Sequence, residues 1–141
     1  MAKIILCRGI QGSGKTTWAK QWVLEDPEHR VRFNNDDIRN MLGKYWVPSR
    51  EHLVQNLKIT LFIDVADNKY DIVIDNMNLN SREVEEWQRL AKAYDYELEF
   101  KDFFNVSLEE CILRDSKREN PIGEEVIRKT YERYKSIIEG V

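Results

Sequence analysis

The chain is poor in the residues that carry several common chemistries. Its two cysteines, Cys7 and Cys111, lie far apart among 141 residues and in no metal-ligand spacing. That excludes a cysteine metal site and predicts two buried free thiols in a reducing cytosol. The two histidines, His29 and His52, show no partner spacing for catalysis or metal binding. No apolar run approaches the length of a membrane span. The apolar start, Met1 to Leu6, is too short for a signal peptide, and a glycine loop follows where a cleavage site would be. Basic residues are not in excess: the net charge is −3, which excludes a basic nucleic-acid coat and leaves any nucleic-acid substrate to a local basic site. Repeats, low-complexity tracts and Gly/Ser linkers are absent. The length, with 42% apolar and 33% charged residues, predicts one soluble domain over 1–141.

What is present alternates between two periodicities. Lys3 to Arg8 reads as a buried parallel strand, because Ile4, Ile5 and Leu6 run on without alternation. Further strands are predicted at Val31 to Asn34, Tyr70 to Asp75 and Tyr96 to Phe104. Helices are predicted at 15–25, from Asp36 to Leu42, and from Pro48 to about Asn68 with Leu53, Leu57, Leu61 and Val65 on its inner stripe. Capping-box spacings at Asn80/Glu83 and Ser107/Glu110 open helices to about Tyr94 and through Arg118. A last helix, about Gly123 to Glu139, carries Ile127, Tyr131, Tyr134 and Ile138 on one side. Alternating strands and helices predict an α/β fold in three layers, a parallel sheet covered by helices on both faces. Ligands bind such sheets beyond the carboxyl ends of the strands, which places the loops after Arg8, Asn34 and Asp75 on one rim.

The first of these loops concentrates glycine: Gly9, Gly12 and Gly14 fall within six positions and lead into Lys15, Thr16 and Thr17. Ordering three glycines is costly in backbone entropy, so bare backbone must be required there. Gly9, Gly14, Lys15 and Thr16 match G-x-x-x-x-G-K-[ST], with a strand before and a helix after, the P-loop context. Gly12, Ser13, Gly14, Lys15, Thr16 and Thr17 would cradle the phosphates of ATP with backbone N–H groups and the helix N-terminus. Lys15 would reach the β and γ phosphates, and Thr16 would ligate Mg²⁺.

The acceptor must come from the other loops. In FNNDDIRN, one carboxylate of the pair Asp36 and Asp37 suits a general base for an alcohol, and Arg39 stands one turn on, suited to a phosphate. A second reading has both acids merely capping the helix. In VIDNMNLN, Asp75 ends its strand as a Walker-B-type acid does and would hold Mg²⁺ directly or through water. Asn76 and Asn78 offer amides near the acceptor, and Asn80 caps a helix. In ILRDSKRENP, Arg114 and Arg118 stand four apart beside Lys117, either as a closing C-terminal helical lid over the donor phosphates or as a solvated face. Tyr45 and Trp46 either stack on a nucleobase or pack the helix hairpin.

These pieces, in this order, resemble the kinase domain of the bacteriophage-type 5′-hydroxyl polynucleotide kinases, within the P-loop kinase superfamily. The resemblance covers nearly the whole chain and rests on KIIL, GSGKTTWA, N-x-D-D-x-R, NLN and LRDSKR. It implies a P-loop kinase fold, ATP and Mg²⁺ as cofactors, and transfer of the γ-phosphate to the 5′-OH end of DNA or RNA. By the same resemblance Lys15 and Thr16 hold donor phosphates and metal, Asp36 is the general base, Arg39 grips the phosphate 3′ to the accepting nucleoside, and Arg118, helped by Arg114, is the lid residue. Asn35 departs from the family's usual arginine, and Asn76 from its acid, which bears on substrate preference. No D-x-D-x-[TV] motif is found, so a stand-alone kinase is expected, with any phosphatase or ligase of the repair path a separate partner. Two other readings stand beside it: a small-molecule kinase for a nucleoside, 3′-nucleotide or sugar, and an ATP-hydrolysing switch, for which no water-positioning glutamine is evident beyond Gln11 in the loop itself.

Overall fold

A computed structural model describes residues 1–140. The elements in chain order are β1 (Lys3–Arg8), α1 (Lys15–Leu24), β2 (Arg30–Phe33), α2 (Asn35–Met41), a 3₁₀ turn (Pro48–Arg50), α3 (Glu51–Asp67), β3 (Asp71–Ile74), α4 (Ser81–Ala93), β4 (Glu97–Asp102), α5 (Leu108–Ser116), α6 (Glu124–Arg133) and α7 (Lys135–Glu139). The four strands are all parallel, in the order β2-β3-β1-β4. The chain therefore runs out to β2, returns through β3 and crosses β1 to reach β4, and the loops after β1 and β3 open at the crossing point.

Side-chain alternation along β1 divides the core. Ile4 and Leu6 face Phe62, Val65 and Ala66 of α3 and Trp87 and Ala91 of α4. Ile5 and Cys7 face Ala19 and Trp22 of α1. Helices thus cover both faces, as the alternation of elements predicts. A third apolar cluster, of Ile10, Leu79, Cys111 and Ile127, seats α5 and α6 over the glycine loop.

The inner face of α3 is not the expected one. Leu53 and Leu61 are 38% and 47% exposed, and the buried stripe is Val54, Lys58, Phe62, Val65 and Ala66. A strict four-residue recurrence drifts around a helix of 3.6 residues per turn. Lys58 also hides the true stripe: its stem is buried while its ammonium lies over the Trp87 ring at 5.3 Å and 3.8 Å from Glu86. The expected last helix is two, broken at Tyr134 (φ −111°, ψ 17°), although Ile127, Tyr131, Tyr134 and Ile138 still share one cluster. By contrast α2 buries none of its residues. No described helix is long and apolar enough to cross a membrane.

Candidate active site

The three rim loops and the segment after α5 enclose a cleft of about 1040 Å³. Its donor side is the glycine loop. Gly12 (φ 80°) and Gly14 (φ 98°) adopt left-handed backbone that only glycine takes without strain. Gly14 is the N-cap of α1, so Lys15, Thr16 and Thr17 form its first turn and the helix's free N–H groups face the cleft. A Cβ on Gly12 would meet the carbonyl oxygen of Cys111 in α5 at 2.4 Å. Gly12→Ala should therefore lower stability by at least about 1–2 kcal/mol, the left-handed penalty before any clash. The thermal midpoint checks this.

The Lys15 ammonium donates to the carbonyls of Gly9 (2.7 Å) and Ile10 (2.8 Å) and lies 3.4 Å from Ser13 Oγ. Burial pushes its pKa down from 10.5 to about 8, with Asp75 opposing the shift. Thr16 Oγ1 donates to Asp75 Oδ2 at 2.8 Å, bringing together the hydroxyl and carboxylate expected at the metal.

Asp75 has a second partner that sequence reasoning missed. Arg32 of β2 donates from Nε to both carboxylate oxygens at 3.0 Å and from Nη2 to Oδ2 at 2.8 Å, while its Nη1 pairs with Asp37. Burial works against the Arg32 charge, yet its bonds to Asp75 and Asp37 hold its pKa above the usual value. The signal in the sequence was an arginine inside a short strand.

The two acids Asp36 and Asp37 have different surroundings. Asn34, not either aspartate, caps α2, its side chain accepting from Asp37 N at 3.1 Å. Asp37 is spent on Arg32. Asp36 lines the cleft, and its Oδ1 accepts from Arg39 Nη1 (2.7 Å) and from the Tyr45 hydroxyl (3.1 Å). Arg39 is clamped from the far side by Glu51 (2.7 Å), whose carboxyl that bond holds below its usual pKa. Glu51 was also missed, since nothing local marks a pair twelve residues apart.

Two asparagines behave differently. Asn76 lines the cleft, and its Oδ1 accepts from Asn35 N at 2.9 Å. Asn78, expected near the acceptor, is instead buried with left-handed backbone (φ 53°), and its amide donates to the carbonyls of Cys7 (2.7 Å) and Ile74 (2.9 Å). It ties the carboxyl end of β1 to that of β3. Asn80 caps α4 as expected.

Arg114 and Arg118 both line the cleft. They do not share one helix face: α5 ends at Ser116, and Arg118 sits in the turn beyond. Arg114 bonds Glu110 at 3.1 Å and reaches Gly12 O at 3.4 Å. Arg118 is 3.6 Å from Asp115, which is itself buried and accepts from the backbone N–H of Ile122 and Gly123, bracing the segment that carries the arginine. Cys7 and Cys111 are buried free thiols, and burial pushes Cys7 up to about 12.

With this geometry in hand, the chain can be set against known proteins. A family model described as AAA domain matches residues 4–140. A protein of Autographa californica nuclear polyhedrosis virus named as a bifunctional polynucleotide kinase/RNA ligase is 28% identical over 149 residues, covering 94% of this chain and 21% of that one. An L-seryl-tRNA(Sec) kinase of Methanococcus maripaludis is 22% identical over 134 residues, covering 93% of this chain and 52% of its own. The chain thus spans about a fifth and about half of these relatives. In a solved Pnkp1/Rnl/Hen1 RNA repair complex, one chain matches with a TM-score of 0.83 at 25% identity, over 99% of this chain and 46% of that one. The fold is that of the P-loop kinases, which implies ATP binding.

Proposed function

The chain belongs to the AAA domain family, and on that premise we propose that it is an ATP-dependent polynucleotide 5′-kinase, moving the γ-phosphate of ATP to a 5′-OH end of DNA or RNA. The observation that carries this reading is the Asp36–Arg39 pair opening into the same cleft as the Lys15 cradle. A 5′-nucleoside end offers a hydroxyl for the carboxylate and, one sugar away, a phosphate for the guanidinium. Relatives named for polynucleotide kinase and RNA repair support the choice of acceptor.

The chemistry follows from the placements. Asp36 accepts the proton of the attacking hydroxyl, and Arg39 fixes the acceptor through its phosphate while holding Asp36 in place. Lys15 and the backbone N–H groups from Gly12 to Thr17 bind the β and γ phosphates, and Arg114 and Arg118 neutralise charge on the transferred group. Asn76 contributes its free amide N–H to the acceptor wall. Thr16 and Asp75 are hard oxygen donors whose chemistry fits Mg²⁺, and these two residues would hold it. Bound there, Mg²⁺ would neutralise charge between the β and γ phosphates.

Labelled ATP tests the reading: label should pass to a 5′-OH oligonucleotide and not to sugars or free nucleosides. Transfer to sugars or nucleosides alone would favour the small-molecule reading, and free phosphate without a labelled acceptor would favour an ATP-driven switch. The expected partners are a phosphatase or ligase acting on the same ends, and the buried free thiols suit a reducing cytoplasm.

Lys15 supplies a pH prediction. Phosphate binding favours the charged lysine, so ATP affinity should be flat below about pH 8. Above it, where the free site's lysine has lost its proton, affinity should fall by up to about tenfold per pH unit. Calorimetry across pH 6.5–9.5 reads this, together with net proton uptake on binding near pH 8.

A further inference from the structure

The segment between α2 and the 3₁₀ turn is rich in exposed aromatic surface. Tyr45 is 47% exposed and Trp46 54% exposed, and neither joins an apolar cluster. Their exposed faces are therefore open to a ligand. The segment is nonetheless held in shape: Gly43 turns it with φ 107°, and Arg50 Nη1 donates to Leu42 O at 2.7 Å across its ends. Both rings flank the Arg39 guanidinium, at 5.9 Å for Tyr45 and 5.7 Å for Trp46, and an exposed Lys44 precedes them. Tyr45 lines the cleft and touches Asp36, whereas Trp46 lies outside the cleft lining.

We propose that Tyr45 and Trp46 form a stacking platform for the first two bases of a single-stranded 5′ end, on either side of the phosphate that Arg39 grips. This rests on the kinase reading above and adds the form of its acceptor. Tyr45, beside the general base, takes the base of the nucleoside being phosphorylated. Trp46, farther out, takes the next base. Aromatic faces interleaved with cations are what single-stranded nucleic acid requires, because every base has a π-face and every linkage a charge. A sugar or a lone nucleoside does not extend to Trp46. A blunt duplex must first unstack its terminal pair, so the platform selects single strands.

Steady-state kinetics on the whole chain decide the matter. Trp46→Ala should raise the KM for a 5′-OH oligonucleotide about tenfold, the loss of one base–aromatic stack. The KM for ATP, and the kinetics on a 3′-nucleoside monophosphate, should not change. Trp46→Phe should restore most of the loss. An oligonucleotide abasic at its second position should show the same tenfold loss with the unmodified protein and no further loss with Trp46→Ala. An active kinase whose oligonucleotide KM is indifferent to Trp46→Ala, or to the abasic site, overturns the platform and leaves the kinase standing. A protein that phosphorylates no oligonucleotide overturns both.

Discussion

Asp36→Asn should cut phosphoryl transfer by about 10²–10⁴-fold, the usual contribution of a general base, while ATP affinity stays within about twofold. The substitution is close to isosteric. The Asn oxygen still accepts from Arg39 and Tyr45 as Oδ1 does, so Arg39 and the loop stay where they are. What disappears is the capacity to take a proton. Asp36 is half exposed on a helix that buries none of its residues, so the fold has little at stake. Single-turnover transfer and nucleotide titration measured side by side check both halves. A variant with near-normal turnover would remove Asp36 from the mechanism, and equal losses in ATP affinity would mean the acid belongs to the donor side.

Arg32→Leu should unfold the chain at markedly lower urea, with a loss of about 3–5 kcal/mol. Asp75 has no exposed side-chain surface. Its carboxylate is satisfied by three contacts from Arg32 and one from Thr16. Removing the guanidinium leaves a buried charge with a single neutral donor. Because the cost is that of the stranded charge and not of the pair itself, the double variant Arg32→Leu/Asp75→Leu should regain much of the loss. Denaturation midpoints of the two variants and the starting protein read the prediction directly. A single variant within about 1 kcal/mol of the starting protein would mean that Asp75 finds another partner or water.

Local signals carried much of the fold. The apolar run of β1, the glycine loop and the caps at Asn80 and Ser107 each state their structure within a few neighbouring residues, and the observed elements agree. The inner face of α3 was misread because a buried lysine broke the apolar stripe. The candidate site divides along the same line. Lys15, Thr16, Asp36 and Arg39 belong to short motifs, and the structure brings all four to one cleft. Arg32, Glu51 and Asp115 act through partners that only the folded chain supplies: Asp75 lies 43 residues from Arg32, and Asp115 holds backbone N–H groups past the end of its helix. The helix cap likewise needed the structure: either acid could have capped α2 until Asn34 was seen to do so.

The two walls of the cleft are built from different material. The donor wall is main chain, pinned by Asn78 between two strand ends and pressed against α5 at Gly12. The acceptor wall is a surface helix and a tethered turn that contribute nothing to the core. On the proposed kinase reading, evolution, or an engineer, can therefore exchange one alcohol for another on this scaffold almost free of folding cost, while the nucleotide half tolerates hardly any drift.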